Sequence, residues 1–281
     1  MKSLFLYASL IAAMMTVVAC GGNGKAAGDV PGGADSASVA AVPEAEVAEP
    51  IVFDSVVYTA SNKYLEYSVF LAYPKGGSDE VVRNIRRAIL LNMGLKGATG
   101  DEDFSEVLAN DARRHTAEAK QELEEMFAEI EDYEPDEMPR YGYEDEIRLE
   151  YLSPTYATFY SIGDDYRAGA HGMPWQYRFT VDLTAGRQLK WGDIFTPSAK
   201  AKLKPIVKKA LIDQYFSGDA SMIDRFDLPE GEPALVKEGV WFGYGAYEIA
   251  SYAAGMPECV ISYSELQDYL TDYVKEVTDN F

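Results

Sequence analysis

Glu146-Ile147-Arg148-Leu149-Glu150-Tyr151-Leu152-Ser153-Pro154-Thr155-Tyr156-Ala157-Thr158-Phe159-Tyr160-Ser161-Ile162 is the stretch that decides the fold class of this 281-residue chain. Apolar and polar residues alternate on both sides of Ser153-Pro154. Alternation is the period of a strand with one buried face, and a serine–proline pair is a turn signal, so a hairpin is predicted. Downstream, residues 176–183 alternate in the same way and turn through Thr184-Ala185-Gly186 into a strand over 188–191. Upstream, 52–58 and 64–73 are rich in β-branched and aromatic residues, with Ser61-Asn62 between them, which predicts a second hairpin. Residues 240–244 and 259–261 read as further strands.

Between these runs the apolar period lengthens to that of a helix. Val82, Ile85, Ile89 and Met93 share one face of a helix from about Asp79, which Gly94 and Gly97 end. A longer helix is predicted over 102–131, with Phe104, Leu108, Ala112, His115, Ala119, Leu123, Met126 and Ile130 as its apolar stripe. Its other face and the run to Glu137 hold ten Asp or Glu from Glu118 onward, against Lys120 alone. Thr196-Pro197 reads as an N-cap and first helical position, followed by Leu203, Ile206, Val207, Ala210, Leu211 and Tyr215 facing inward. A helix over 263–277 closes the chain. There is no internal repeat and no regular strand–helix–strand alternation. The expectation is α+β: largely antiparallel sheets with packed helices, in two consecutive subdomains, 51–149 and 150–281.

The N-terminal fifty residues are of another kind. Lys2 precedes an apolar run from Leu4 to Val18, then Val17-Val18-Ala19-Cys20-Gly21. That run is shorter than the ~20 residues a spanning helix needs and fits the apolar core of a secretory signal. A cysteine just after small residues marks a bacterial lipoprotein signal over 1–19. Cys20 would become the N-terminus and carry a diacylglycerol and a further acyl chain such as palmitate; two or more chains hold a protein stably to a bilayer. A plain secretory signal with an incidental Cys20 is the rival reading. Residues 21–50 are mostly Gly, Ala, Ser, Val, Pro and Glu without an aromatic, the composition of a flexible tether. The expected location is the cell envelope, outside the cytoplasm: lipid-anchored to a membrane, the outer one if the cell is Gram-negative.

Removing 1–19 deletes one charge, Lys2, from 25 basic and 46 acidic residues, leaving 24 against 46 and a net charge of −22. Such a surface disfavours nucleic acid and favours solubility or a cationic partner. Cys259 is the one cysteine besides Cys20, so no disulfide can form within the folded part, and it reads as a small buried hydrophobe. No zinc-type His spacing, nucleophile-elbow, P-loop or dinucleotide fingerprint occurs, and no cofactor, metal site or catalytic residue is assigned. The two histidines stand 56 positions apart. His115, on the helix stripe, reads as a boundary histidine with a hydrogen-bond partner.

His171 lies in Gly169-Ala170-His171-Gly172-Met173-Pro174-Trp175, where small neighbours admit close approach of backbone or ligand. Either it locks a tight inter-strand loop, or Gly169, His171, Gly172, Trp175 and Tyr177 form a binding contact. A catalytic base oriented by Asp164 or Asp165 is a third reading. Lys200, Lys202, Lys204, Lys208 and Lys209 gather on one helix, as a solvated face, a complement to the Glu-rich helix, or a contact with anionic lipid. Twenty tyrosines suit half-exposed sheet faces and also glycan or protein recognition.

Two stretches carry a resemblance. One runs from Gly169-Ala170-His171-Gly172 through 179–189 to Trp191-Gly192-Asp193-Ile194-Phe195. The other is Tyr247-Glu248-Ile249-Ala250-Ser251-Tyr252-Ala253-Ala254-Gly255 followed by 260–266. Together, over roughly 150–270, they resemble the extracellular domain of RsiV-type anti-sigma factors, shared with the N-terminal region of PdaC-type peptidoglycan deacetylases. Over 51–149 the match is one of element order. The resemblance implies an envelope binding module, since the RsiV ectodomain binds lysozyme. No sigma-binding segment and no deacetylase domain with its metal ligands accompany it here, so neither activity carries over.

The leading expectation is a non-catalytic, lipid-anchored envelope protein that binds a cationic wall-lytic protein (lysozyme-like) or peptidoglycan fragments. A wall-modifying hydrolase using His171 with a carboxylate, and a purely structural lipoprotein, are the alternatives.

Overall fold

In the computed structural model, which describes residues 50–128 and 139–278, the chain begins with β1 (Val52–Ser61) and β2 (Leu65–Gly76). Helices α1 (Asp79–Asn92) and α2 (Phe104–Phe127) follow, then β3 (Tyr141–Leu152), β4 (Tyr156–Tyr166), β5 (Met173–Asp182) and β6 (Arg187–Gln188). The last third holds α3 (Trp191–Ile194), α4 (Lys200–Gln214), β7 (Ala234–Val236), β8 (Gly239–Gly243), β9 (Glu258–Ser262), α5 (Tyr263–Leu266) and α6 (Asp272–Thr278). The chain is α+β. Strands β1 to β6 form one sheet in sequence order and β7 to β9 a second, and the two sheet regions fit two subdomains. Residue 150 lies within β3, so the larger sheet takes strands from both sides of the 149/150 boundary. The signal, Cys20 and the tether to residue 49 lie outside the described residues, as do the end of the long helix beyond Ala128 and the acidic run to Glu137.

The hairpin over 141–166 forms as alternation requires, with Leu152 opposite Ala157. Its turn is fixed by Ser153, whose hydroxyl oxygen accepts the N–H groups of Thr155 and Tyr156 at 3.2 and 2.9 Å. All strand pairs are antiparallel except β2 with β3, which is parallel. A parallel neighbour needs a crossover, and α1 and α2 supply it. They cover one face of the larger sheet. Ile85, Ala88 and Ile89 pack with Leu71, Ile147, Phe159 and Phe179, while Leu108, Ala112 and Leu123 pack with Leu65, Tyr67 and Val69. Each helix starts where the sequence offers a cap: Ser78 accepts from Val81 N–H and Asp103 from Glu106 N–H.

The smaller sheet packs on the other face, over β4 and β5. Thr158 and Thr180 are fully buried there, and their hydroxyls close a ring with the edge of β7. Thr158 Oγ1 donates to the Leu235 carbonyl at 2.6 Å, Leu235 N–H donates to Thr180 Oγ1 at 2.9 Å, and the two hydroxyls bond each other at 2.9 Å. Beside it, Arg178 lies between the Tyr160 and Trp241 rings and pairs with Glu150 and Glu258. Glu258 Oε2 also accepts from Gln176 and Trp241. These buried and half-buried polar groups are satisfied where the two sheets meet, which fixes how the sheets pack.

Some expectations are corrected. The helix after Thr196-Pro197 begins at Lys200; Thr196 instead accepts the Ala199 N–H in a preceding turn. Trp191 opens α3 rather than continuing a strand. The closing helix breaks into α5 and α6, separated by a turn over 267–269 that brings Leu270 to bridge Phe195. Met126 is exposed, and Tyr215, at the end of α4, is partly exposed with its hydroxyl on the Ala254 carbonyl. The lysines of α4 do not reach α2: Lys204 pairs with Asp227, Lys209 with Asp213, and Lys200 and Lys208 lie over Trp191 and Phe226. Cys259 is buried as expected, and burial pushes its thiol up to about 12.

Candidate functional site

The β4–β5 connection and the loop between β8 and β9 meet at His171. Gly172 lets this connection fold closely onto the end of β4, because a β-carbon there would overlap the Asp164 carboxylate. His171 Nδ1 lies 2.8 Å from the Gly172 carbonyl, which can only accept, so Nδ1 carries a proton and Nε2 is the accepting nitrogen of the neutral ring. The imidazole stacks on the Tyr252 ring, with centroids 3.8 Å apart and planes 22° apart. The Tyr252 hydroxyl donates to the same Gly172 carbonyl at 3.1 Å. Tyr247 completes the group: its hydroxyl is 3.4 Å from His171 Nε2 and its ring 5.4 Å from that of Tyr252.

The 245–257 loop is built to present Tyr247. Glu248 turns inward, its carboxylate accepting the N–H groups of Gly245 and Glu230, both at 2.8 Å. The Glu248 carbonyl accepts from Arg225, and Ile249 and Ala250 are buried. Tyr247, just before this anchor, is left 49% exposed at φ 68°. A non-glycine residue in the left-handed region costs about 1–2 kcal/mol, so the surrounding hydrogen bonds hold it there. Asp164 lies below. Its carboxyl is raised above the ordinary value by partial burial and by the like charge of Asp165, with His171 pulling the other way.

The residues singled out in sequence do not all gather here. Gly169 and His171 are exposed and Gly172 is half-buried at the junction, but Trp175 and Tyr177 project from the opposite face of β5, under the helices. Trp175 bonds to Asp145 and lies 5.5 Å from the Tyr143 ring, and the Tyr177 hydroxyl donates to the Asn92 carbonyl at 3.3 Å. Strand alternation sends 175 and 177 one way, while Gln176 and Arg178 go to the Glu258 side. Tyr247 and Tyr252 take their place. The available signal was a pair of tyrosines five apart in a loop bracketed by Gly245 and Gly255.

Chemically, the junction offers two tyrosine faces, an imidazole lone pair and a carboxylate on one accessible surface. The Nδ1 partner of His171 is a carbonyl and not a carboxylate, so the imidazole is oriented without a charge relay. Among the described residues no three His, Cys, Asp or Glu side chains converge to hold a metal ion, and no helix is long and apolar enough to cross a membrane.

No curated protein matches this chain. Its fold is shared by a crystal structure of a DUF3298 family member from Bacteroides fragilis NCTC 9343. That structure is 21% identical with a TM-score of 0.72, over 82% of this chain and 98% of the other. A DUF3298 family protein from Pseudomonas aeruginosa PAO1 is similar at 16% identity and a TM-score of 0.57, over 79% of this chain and 95% of the other. Residues 192–264, which include the whole Tyr247–Gly255 motif, match the model of a protein family of unknown function, DUF3298.

Proposed function

We propose that this chain is a non-catalytic, lipid-anchored protein of the cell envelope whose α+β body binds peptidoglycan fragments at the junction of His171, Tyr247 and Tyr252. The supporting observation is Tyr247: a half-exposed aromatic ring kept at a strained backbone angle beside a stacked His171–Tyr252 pair. Strain of this kind persists where the surroundings over-determine it, and it clusters at binding sites. A sugar ring lies flat on an exposed tyrosine at small entropic cost, and its hydroxyls suit the Nε2 lone pair and the Asp164 carboxylate. The test is calorimetry with muropeptides and glycan oligomers on the wild type and Tyr247→Ala. Binding by the wild type that weakens at least tenfold in the variant, at unchanged melting temperature, supports the reading. No heat with any fragment overturns it.

A net charge of −21 favours a second ligand class, a cationic wall-lytic protein such as lysozyme. Long-range attraction would speed the encounter and fade with salt. Retention of lysozyme on the immobilised protein at low salt, lost as salt rises, is its signature. Turnover of muropeptides that vanishes in His171→Ala would replace both readings with the hydrolase alternative.

A further inference from the structure

β1 is an edge strand of ten residues that pairs with β2 alone among the described residues. Its outward groups can be assigned from one hydrogen bond. The Ser55 N–H donates to the neighbouring Asp54 carboxylate at 2.8 Å, so Ser55 turns its backbone away from β2. By alternation, Val57 and Thr59 do the same, and these are also positions whose side chains are exposed. Exposed edges in soluble proteins are ordinarily blunted by charges, proline or short length. β1 instead carries one charged residue in ten, Asp54, on a chain that is 25% charged, and it leaves Val57 62% exposed.

We infer that the free edge of β1 pairs antiparallel with β1 of a second copy, with the two-fold axis at Val57. The strand is self-complementary about that residue. Val57 meets Val57, Ser55 meets Thr59 as a hydroxyl pair, and Asp54 falls opposite Ala60, so no like charges are opposed. The outward backbone groups of 55, 57 and 59 are symmetric about the same point, which makes Val57 a hydrogen-bonded pair and gives about six backbone hydrogen bonds between the copies, two of them made by Ser55 N–H groups that must first leave Asp54. The opposing force is the −21 charge of each copy, which is long-range and screened by salt. Self-association therefore strengthens as salt rises, the reverse of what a cationic partner would show.

The test is cysteine cross-linking in the full chain together with sedimentation of the purified protein. In an antiparallel hydrogen-bonded pair the Cα atoms are ~5.5 Å apart, within disulfide reach. Val57→Cys should give a disulfide-linked dimer under mild oxidation. Thr59→Cys alone should stay at the wild-type background but cross-link when mixed with Ser55→Cys chains. Val57→Lys, if it melts as the wild type does, should lower the dimer fraction at least tenfold. A wild type that sediments as a monomer at every concentration and salt level overturns the inference and leaves the edge to an extended peptide of another protein. Equal cross-linking of Val57→Cys and Thr59→Cys overturns the register.

Discussion

His115 and His171 are the chain's two histidines, and each lies against two tyrosine rings, one beneath a helix and the other at a loop junction. Beneath α2, His115 is 4.1 Å from the Tyr143 ring and 6.0 Å from Tyr67, and Asp111 sits 3.5 Å from its Nε2. Burial holds its imidazole below the ordinary value, against the pull of Asp111. The phenols of Tyr67 and Tyr143 are pushed well up by the same desolvation. At the junction, His171 touches only groups near the surface, and Tyr247 keeps its strained angle although half of it is exposed. The same residue types thus serve packing in one place and presentation in the other. What separates them is whether a helix lies over the rings. The sharpest way to break this comparison is Tyr143→Ala, which removes a ring stacked between Tyr67, His115 and Trp175. A loss of about 3–5 kcal/mol in denaturant unfolding is expected. A loss below ~1 kcal/mol would mean that α2 is not held by these rings.

The next largest effect is a pH dependence. Asp145 is buried at the centre of the aromatic group, and desolvation raises its carboxyl from 3.8 to about 6, against hydrogen bonds from Ser161 and Trp175. Because the folded value lies above the unfolded one, the protonated form is favoured by folding. Its contribution is fully present below the unfolded value and is lost as pH rises through about 6. A shift of this size is worth roughly 3 kcal/mol. Asp145→Asn should therefore be more stable than the wild type at pH 8 by up to about that amount, and the gap should close toward pH 4. His115 works in the opposite sense. Its depressed value stabilises the fold above the ordinary imidazole range and is lost as pH falls, so the wild-type profile between the two is flatter than either group alone would give.

Asp111 ranks third. It accepts from the Tyr67 hydroxyl at 2.9 Å and pairs with Arg114 as well as His115. Asp111→Ala strands a buried phenol and should cost about 1–3 kcal/mol. Made in a Tyr67→Phe background, the same change should cost clearly less, since no hydroxyl is left without an acceptor. Equal costs in both backgrounds would show that Asp111 acts through Arg114 instead.

Much of this buried region was legible in the sequence, and the junction was not, for a physical reason. Alternation over 146–162 and the stripe through Leu108, His115 and Leu123 are consequences of one covered face, and a single chain segment records them. That His115 sits on the apolar stripe already said that it is packed. The partners of His171 come from a loop 76 residues further on and leave no period to read. Trp175 and Tyr177 misled because nearness in sequence is not nearness in a strand, where each step of one residue changes the face. Tyr263 to Val277 reads as one helix because its apolar spacing is helical throughout; the bridge from Leu270 to Phe195 where it is interrupted is a tertiary contact.

The smallest effect on stability is the one that separates the two regions most cleanly. Tyr247→Gly removes a half-exposed side chain from a backbone angle of φ 68°, which glycine adopts freely, and gives up the ring's contacts with Tyr252 and His171. Relief of about 1–2 kcal/mol of strain is offset by the roughly 0.5–1 kcal/mol that a more flexible unfolded chain costs. The melting temperature should stay level or rise slightly, whereas any ligand that stacks on the ring should lose at least tenfold in affinity. His171→Ala should likewise leave stability within about 0.5 kcal/mol, as substitutions at exposed sites do. If Tyr247→Gly instead lowers the melting temperature as Tyr143→Ala does, Tyr247 is a packing residue after all. The strained loop would then be a structural corner, and the junction would be no different in kind from the site beneath α2.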